Sequence, residues 1–277
     1  MARAQSGRRA HRPLILLTND DGVLFDGIKA LRRALASLAE VWIVAPDREK
    51  SACSLSLTLH RPLRVYRAGP RVFAVDGTPA DCVYLAVNRI LPRRPDLLLS
   101  GINNGPNLAR QDIAHSGTVA AALQARHLGI NSAAVSAVPD GSGRFDFNGT
   151  ARLVLPLAAR LLERGADPPL TLNVNVPPPP VRGARVTVLG EKHYDPEIVE
   201  KKDPRGNTYF WIGTGSPEVS GPPESDVAAV ARGFISITPL DTDLTDERAV
   251  PGRELRRLAS RLSSAAARPR TGPGRAK

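Results

Sequence analysis

Four residues, Asn19-Asp20-Asp21-Gly22, close the apolar run Leu14–Leu17 and its following threonine. Adjacent carboxylates repel, so their placement where a buried strand leaves the core calls for a positive partner. Two other segments share this character. One is "APDREKSACS", after the strand-like Val41–Pro46; the other is "SGINNGPN", running on to "HSGTV", after Asp96–Leu99. Carboxylate, amide and hydroxyl oxygens dominate all three, the donor chemistry of Mg2+, Mn2+ or a similar hard divalent ion. Glycines at 101, 105 and 117 let backbone N–H groups approach an anion. A helix starting near Gly117-Thr118 would point its positive end into the same crevice. A divalent cation beside an anion cradle is the equipment for transferring a phosphoryl group to water. Singly, each piece reads as ordinary structure: "DDG" as a turn, Ser116 as a helix cap, "GINNG" as a loop with left-handed asparagines. The weight lies in finding all three at strand ends of one α/β domain.

The elements that must position these loops follow from periodicity. "LILLT" reads as a buried strand. Apolar Ile28, Leu31, Leu35 and Leu38 recur at three- and four-residue steps, which predicts a helix with Asp26 as N-cap. "VWIVAP" is a second strand, and "PLRVYRAGPRVFAV" a hairpin turning at Gly69-Pro70. Thr78 caps a helix "PADCVYLAVNRIL", with Pro79 at its first position. "DLLLS" is a third core strand, followed by a long loop over "GINNGPNLARQDIAHSG". A helix "TVAAALQARHL", a strand "SAAVS", a helix around Ala151–Leu162 and a strand "LTLNVNVP" complete a parallel α/β pattern. After Pro177–Pro180 the texture changes. "RVTVL" and "TYFWIG" with intervening charge and glycine suggest exposed hairpins, "DVAAVARG" a short helix, "FISITPL" a last strand and "RELRRLASRL" a terminal helix.

The chain has 277 residues, 42% of them hydrophobic and 23% charged, as in an ordinary folded protein. No apolar stretch is long enough for a transmembrane helix, and the basic N-terminus lacks the apolar segment of a signal peptide. Cys53 and Cys82 form neither a metal spacing nor a disulfide framework, so a cytoplasmic location is expected. The net charge of +11 resembles a nucleic-acid signal until it is located. Residues 1–12 carry four arginines, and residues 252–277 carry eight basic residues against one glutamate. Residues 13–251 are left with 26 basic and 26 acidic side chains. The excess therefore belongs to the ends, where weak polyanion contacts are all it implies. Aromatic content of 4% and the lack of an RNA- or DNA-reading motif argue against a nucleic-acid-binding module.

"LTNDDG", "VAPDREKSACS", "GTPADCV", "DLLLSGINNGPN", "HSGTVAAAL" and "FISITPL" follow one another in the order and spacing of the SurE family of survival-protein nucleotidases. The resemblance runs from about Leu14 to about Leu244. It implies a Rossmann-like three-layer α/β/α fold around a mostly parallel sheet, with protruding C-terminal β-hairpins. It implies a metal-dependent 5′-nucleotidase that hydrolyses nucleoside 5′-monophosphates, with 3′-monophosphates and short polyphosphate as further substrates. One divalent cation per subunit (Mn2+, Mg2+ or similar) is implied, held by Asp20, Asp21, Ser51 and Asn103. A homodimer or homotetramer and no membrane partner are implied as well. The chain departs from the family pattern in the second loop, where "SACSLSL" lacks a glycine, at Asn104, where many relatives place arginine, and at Ala120, where glycine is common.

The expected division is a basic disordered tail at 1–12 and a catalytic domain at 13–182. A hairpin and oligomerisation region with a returning strand follows at 183–250, then a helix and basic tail at 251–277. Catalysis is expected to rest on Asp20, Asp21, Asn103 and Ser116, and phosphate binding on Asn107, Ser116, Gly117 and Thr118. Attack by water and covalent attack by one aspartate both stay open in the sequence. His115 is placed to protonate a leaving alkoxide, although a loop histidine without a role is the simpler reading. A haloacid-dehalogenase type of phosphatase wants aspartates two apart after its first strand, and the adjacent pair here does not fit it.

Overall fold

The computed structural model describes residues 12–194, 197–213, 215, 217–246 and 250–266. The expected basic tails lie outside the described residues, Arg12 apart.

A strand buried on both faces must be apolar throughout, and β1 (Leu14–Thr18) is buried at every position. It pairs in parallel with β2 (Glu40–Pro46) on one side and β5 (Leu97–Asn104) on the other. From β2 the sheet continues to β4 (Val72–Val75) and then β3 (Val65–Gly69). The last two form the antiparallel hairpin expected around Gly69-Pro70. From β5 it continues through β6 (Ser132–Ala137) and β7 (Thr171–Val176), both parallel. β13 (Ile235–Leu240) then pairs antiparallel with β7, and β8 (Ala184–Val186) closes the nine-stranded sheet. The chain leaves β1 toward β2 and later returns on the other side as β5. The strand order therefore reverses beside β1, and a crevice opens beyond the carboxyl ends of β1, β2 and β5.

Helices cover both faces. Ile15, Leu17 and Ile43 face α1 (Asp26–Leu35) and α5 (Phe147–Arg164). Leu16, Val44 and Leu98 face α2 (Pro79–Leu85) and α4 (Gly117–His127). The alternation along β1 is the two-residue period of a strand sandwiched between layers. Thr78 caps α2 as expected, in a reciprocal box with Asp81.

Three local expectations change. Phe25, not Asp26, is the N-cap of α1, and it makes no side-chain cap. Its ring is fixed edge-on to Phe147 at 5.4 Å, and Asp26 lies in the first helical turn, where its charge suits the dipole. The helix from Pro79 is α-helical only to Leu85 and widens into a π-turn over Ala86–Ile90. The long loop after the third core strand is shorter than expected: β5 extends to Asn104, and Ala109–His115 forms a helix, α3.

Beyond β8 come β9 (Glu191–His193), β10 (Ile198–Lys202), β11 (Thr208–Ile212), β12 (Glu218–Ser220) and α6 (Asp226–Ala231). β10 and β11 form an exposed antiparallel hairpin, as the charge and glycine pattern suggested, and β12 pairs with β9. A second compact unit begins at Asp241 and contains α7 (Arg253–Ala266). Among the described residues no helix is long and apolar enough to cross a membrane.

Candidate active site

Asn19 to Gly22 form the turn that ends β1. Asn19 Nδ2 donates to the Gly22 carbonyl at 2.9 Å, and Gly22 sits at φ +103°, which a residue without Cβ adopts freely. This turn aims both aspartates into the crevice. Asp20 is buried and accepts hydrogen bonds from both the hydroxyl and the backbone N–H of Thr118. Asp21 accepts from the Asn104 N–H, which ties it to the end of β5. The second loop is drawn to the same place by Lys50 N–H, which donates to the Asp20 carbonyl at 2.7 Å. Ser54 fastens it to the end of α3 through His115 O at 3.1 Å and Ala114 O at 2.8 Å. The three loops singled out in the sequence thus converge.

The electrostatics of the aspartate pair are those of an anion site awaiting a cation. Burial above all, with the Asp20 charge second, pushes the Asp21 carboxyl up to about 7. Burial also raises Asp20, against the lowering effect of the Thr118 hydrogen bonds. Glu49, absent from the expected site, adds a third negative group near both. Asp21 Oδ2 and Asn19 Oδ1 are buried without a hydrogen-bond partner. Such orphaned acceptors fit a cation better than a finished hydrogen-bond network.

The expected neutral ligands are the chain neighbours of residues that contact this pair: Ser51 follows Lys50, and Asn103 precedes Asn104. Asn103 donates its Nδ2 to the Gly105 carbonyl at 2.7 Å, which leaves its oxygen as the free end. Ser51 is exposed and donates to Glu49 Oε1 at 2.7 Å, with its lone pairs unengaged in that bond. Among the described residues no three His, Cys, Asp or Glu side chains cluster in a metal-binding arrangement. A cation here would therefore draw on two carboxylates and neutral oxygens, and that set fits a hard divalent ion. The glycine-poor second loop turns through left-handed Ala52 (φ 55°) and Ser54 (φ 51°), a strain of roughly 1 kcal/mol each.

The expected phosphate contacts divide. Ser116 Oγ accepts from Val119 N–H and caps α4, with its side chain at the helix mouth. Gly117 is the first helical residue, packed so close that a Cβ there would lie 2.9 Å from Asp20 Cβ and 2.9 Å from Cys53 Sγ. Thr118 is fully buried and committed to Asp20 rather than to open space. Asn107 is held from beneath by a polar ladder the sequence reading missed. Its N–H donates to Asn175 Oδ1 at 2.8 Å, its Nδ2 to Ser136 Oγ at 2.9 Å, and its carbonyl accepts from Asn173 and Asn175. One Nδ2 hydrogen remains for a ligand. A signal existed in "LTLNVNVP": two asparagines at alternate positions of a buried strand point to one face and demand a polar neighbour. His115 is exposed at the end of α3. Cys53 is a free thiol pushed up to about 11 by burial and by Asp20, so it is a packed, unreactive neighbour.

The family model for the survival protein SurE matches residues 15–196. The 5′-nucleotidase SurE of Geotalea daltonii is 46% identical over 239 residues, covering 85% of this chain and 96% of that protein. The 5′-nucleotidase SurE of Anaeromyxobacter sp. (strain Fw109-5) is 48% identical over 241 residues, covering 86% and 93%. Among solved structures, the SurE protein from Aquifex aeolicus superposes with a TM-score of 0.76 at 39% identity. That match covers 88% of this chain and all of that one.

Proposed function

The chain belongs to the SurE family, and from that premise we propose that its crevice hydrolyses nucleoside 5′-monophosphates to nucleoside and phosphate with a divalent cation at the aspartate pair. The observation that carries this reading is the Asp20–Asp21 pair itself. Burial first, then the Asp20 charge on Asp21 and the charge of Glu49, push the pair toward the protonated form, against the Thr118 hydrogen bonds to Asp20. Asp20, Asp21, Ser51 and Asn103 would hold one Mn2+, Mg2+ or similar ion. When bound, such an ion polarises a phosphoryl oxygen and makes a water more acidic.

The protein's own residues do the rest. Thr118 and the Lys50 N–H fix Asp20 so that its carboxylate does not reorganise during turnover. Asn107, Ser116 and the Gly117 end of α4 receive the phosphate oxygens, with the helix dipole favouring their negative charge. The β10–β11 hairpin exposes apolar side chains on both faces, Phe210 and Ile212 on one and Trp211 on the other, and copies of the chain associate through it. Activity on 3′-monophosphates and short polyphosphate and a cytoplasmic location belong to the same reading.

The test is phosphate release from nucleoside 5′-monophosphates by metal-stripped protein, with Mn2+, Mg2+ or excess chelator. Hydrolysis is expected to vanish with chelator and to return with either ion. Full activity in excess chelator refutes the reading.

A further inference from the structure

The segment 105–116 carries Asn107 near its start and Ser116 at its end, so both ends of the proposed phosphate cradle depend on its pose. Between them the chain is fastened to residues far along the sequence. Asp226, fully buried at the start of α6, accepts from Ala109 N–H through Oδ2 at 2.8 Å. Its Oδ1 accepts from Gly190 N–H and Val227 N–H, each at 2.8 Å. Ala109 is held at φ +62°, a left-handed conformation that persists only where its surroundings over-determine it. Asp112 makes the second fastening. Its Oδ2 accepts from Lys192 Nζ at 2.8 Å and from Leu108 N–H at 3.1 Å, and its Oδ1 accepts from Tyr194 OH at 2.8 Å. Lys192 also lies 4.7 Å from the Tyr194 ring centre. Between the two, Arg110 N–H donates to the Gly190 carbonyl at 3.2 Å.

We infer that Asp112 and Asp226 are positioning residues for phosphate recognition: they dock the cradle segment on Gly190–Tyr194 and so set the pose of Asn107 and Ser116. This rests on the nucleotidase reading above and extends it, because it gives the region after β7 a part in binding the substrate. The chemistry is specific to carboxylates. Each Asp226 oxygen faces backbone N–H donors, so an amide in its place turns a donor against a donor and leaves a buried group unsatisfied. The Lys192–Asp112 pair is nearly buried, with side-chain exposures of 13% and 9%. Removal of either partner therefore leaves an uncompensated charge and loosens the loop. Neither carboxylate touches the aspartate pair, so the cation site should be left as it was.

The experiment compares wild type with Lys192→Met, Tyr194→Phe and Asp226→Asn. It measures kcat and KM for a nucleoside 5′-monophosphate, the inhibition constant of inorganic phosphate, and the Mn2+ concentration for half-maximal activity. The expected result is a rise of about tenfold in both KM and the phosphate inhibition constant, with Mn2+ half-saturation within about twofold of wild type. Unchanged KM and phosphate inhibition in folded variants would overturn the inference. So would an equal weakening of phosphate and Mn2+, the mark of a merely structural role. Should Lys192→Met or Asp226→Asn fail to fold, Tyr194→Phe, which keeps the ring and the ion pair, decides by the same readout. A wild type that neither hydrolyses the nucleotide nor is inhibited by phosphate is a separate outcome: it removes the functional reading and this inference with it.

Discussion

Asp21→Asn is expected to lower kcat/KM at least about a hundredfold, on the order of 2.7 kcal/mol of transition-state stabilisation, in a protein that still folds. The substitution keeps the size of the side chain and a carbonyl oxygen and removes one negative charge. As a turn residue asparagine serves as well as aspartate, so a purely structural "NDDG" would tolerate the change. Asp21 also predicts a pH signature without metal. Its carboxyl is pushed up to about 7 in the fold, by burial first and by Asp20 second. The folded protein thus holds that proton more tightly than the unfolded chain, whose carboxyl titrates near its ordinary value of about 4. The stability this supplies is fully present below about pH 4 and is lost as pH rises to about 7. Metal-free wild type should therefore show a Tm that falls across this window relative to Asp21→Asn, and Mn2+ should offset that fall by raising the Tm of the wild type much more than that of the variant. Thermal melts of both proteins at pH 5 and pH 8, with and without Mn2+, check this. A wild-type minus variant Tm difference that is the same at both pH values would mean that Asp21 is not held as described.

Gly117→Ala is expected to cost about as much activity through geometry alone. The added Cβ would lie 2.9 Å from both Asp20 Cβ and Cys53 Sγ, and 3.0 Å from Asp20 Oδ2. These distances force movement, and Asp20 is pinned by Thr118, so the carboxylate is displaced or the helix mouth retreats. Overpacking of this kind costs about 1–3 kcal/mol of stability. Activity should fall by about a hundredfold, because the helix end and the aspartate pair no longer share one geometry. Adding Cys53→Ala relieves the sulfur contact but not the contact with Asp20. The double variant should recover part of the lost Tm and little of the lost rate. Recovery of full activity would show that the close approach of Gly117 to Asp20 is incidental.

The parts of the fold legible in the sequence are those where one physical rule acts alone. Leu14–Thr18 and Ser132–Ala137 are buried along their whole length, and an apolar run is the direct mark of that environment. Thr78-Pro79 announced its helix because cap chemistry is local. The three loops of the crevice were legible because oxygen donors recur at three strand ends of one domain, although each alone reads as ordinary structure. What escaped is held together over long separations in the chain. α3 has no side-chain cap, and its first residue, Ala109, bonds to Asp226, 117 residues away. Asn173 and Asn175 look like irregularities in a strand until Asn107 is laid across them. Thr118, expected to face the phosphate, is turned instead to Asp20 by a packing that periodicity does not encode.

The most direct measurement is calorimetric titration of Mn2+ into metal-stripped wild type and into Asp20→Asn. One binding site per chain is expected in the wild type. In the variant, affinity should fall by at least about tenfold, roughly 1.4 kcal/mol, as the carboxylate that Thr118 orients becomes an amide. Equal Mn2+ affinity in the two proteins, or no Mn2+ binding by the wild type, would contradict the assignment of the aspartate pair as the cation site.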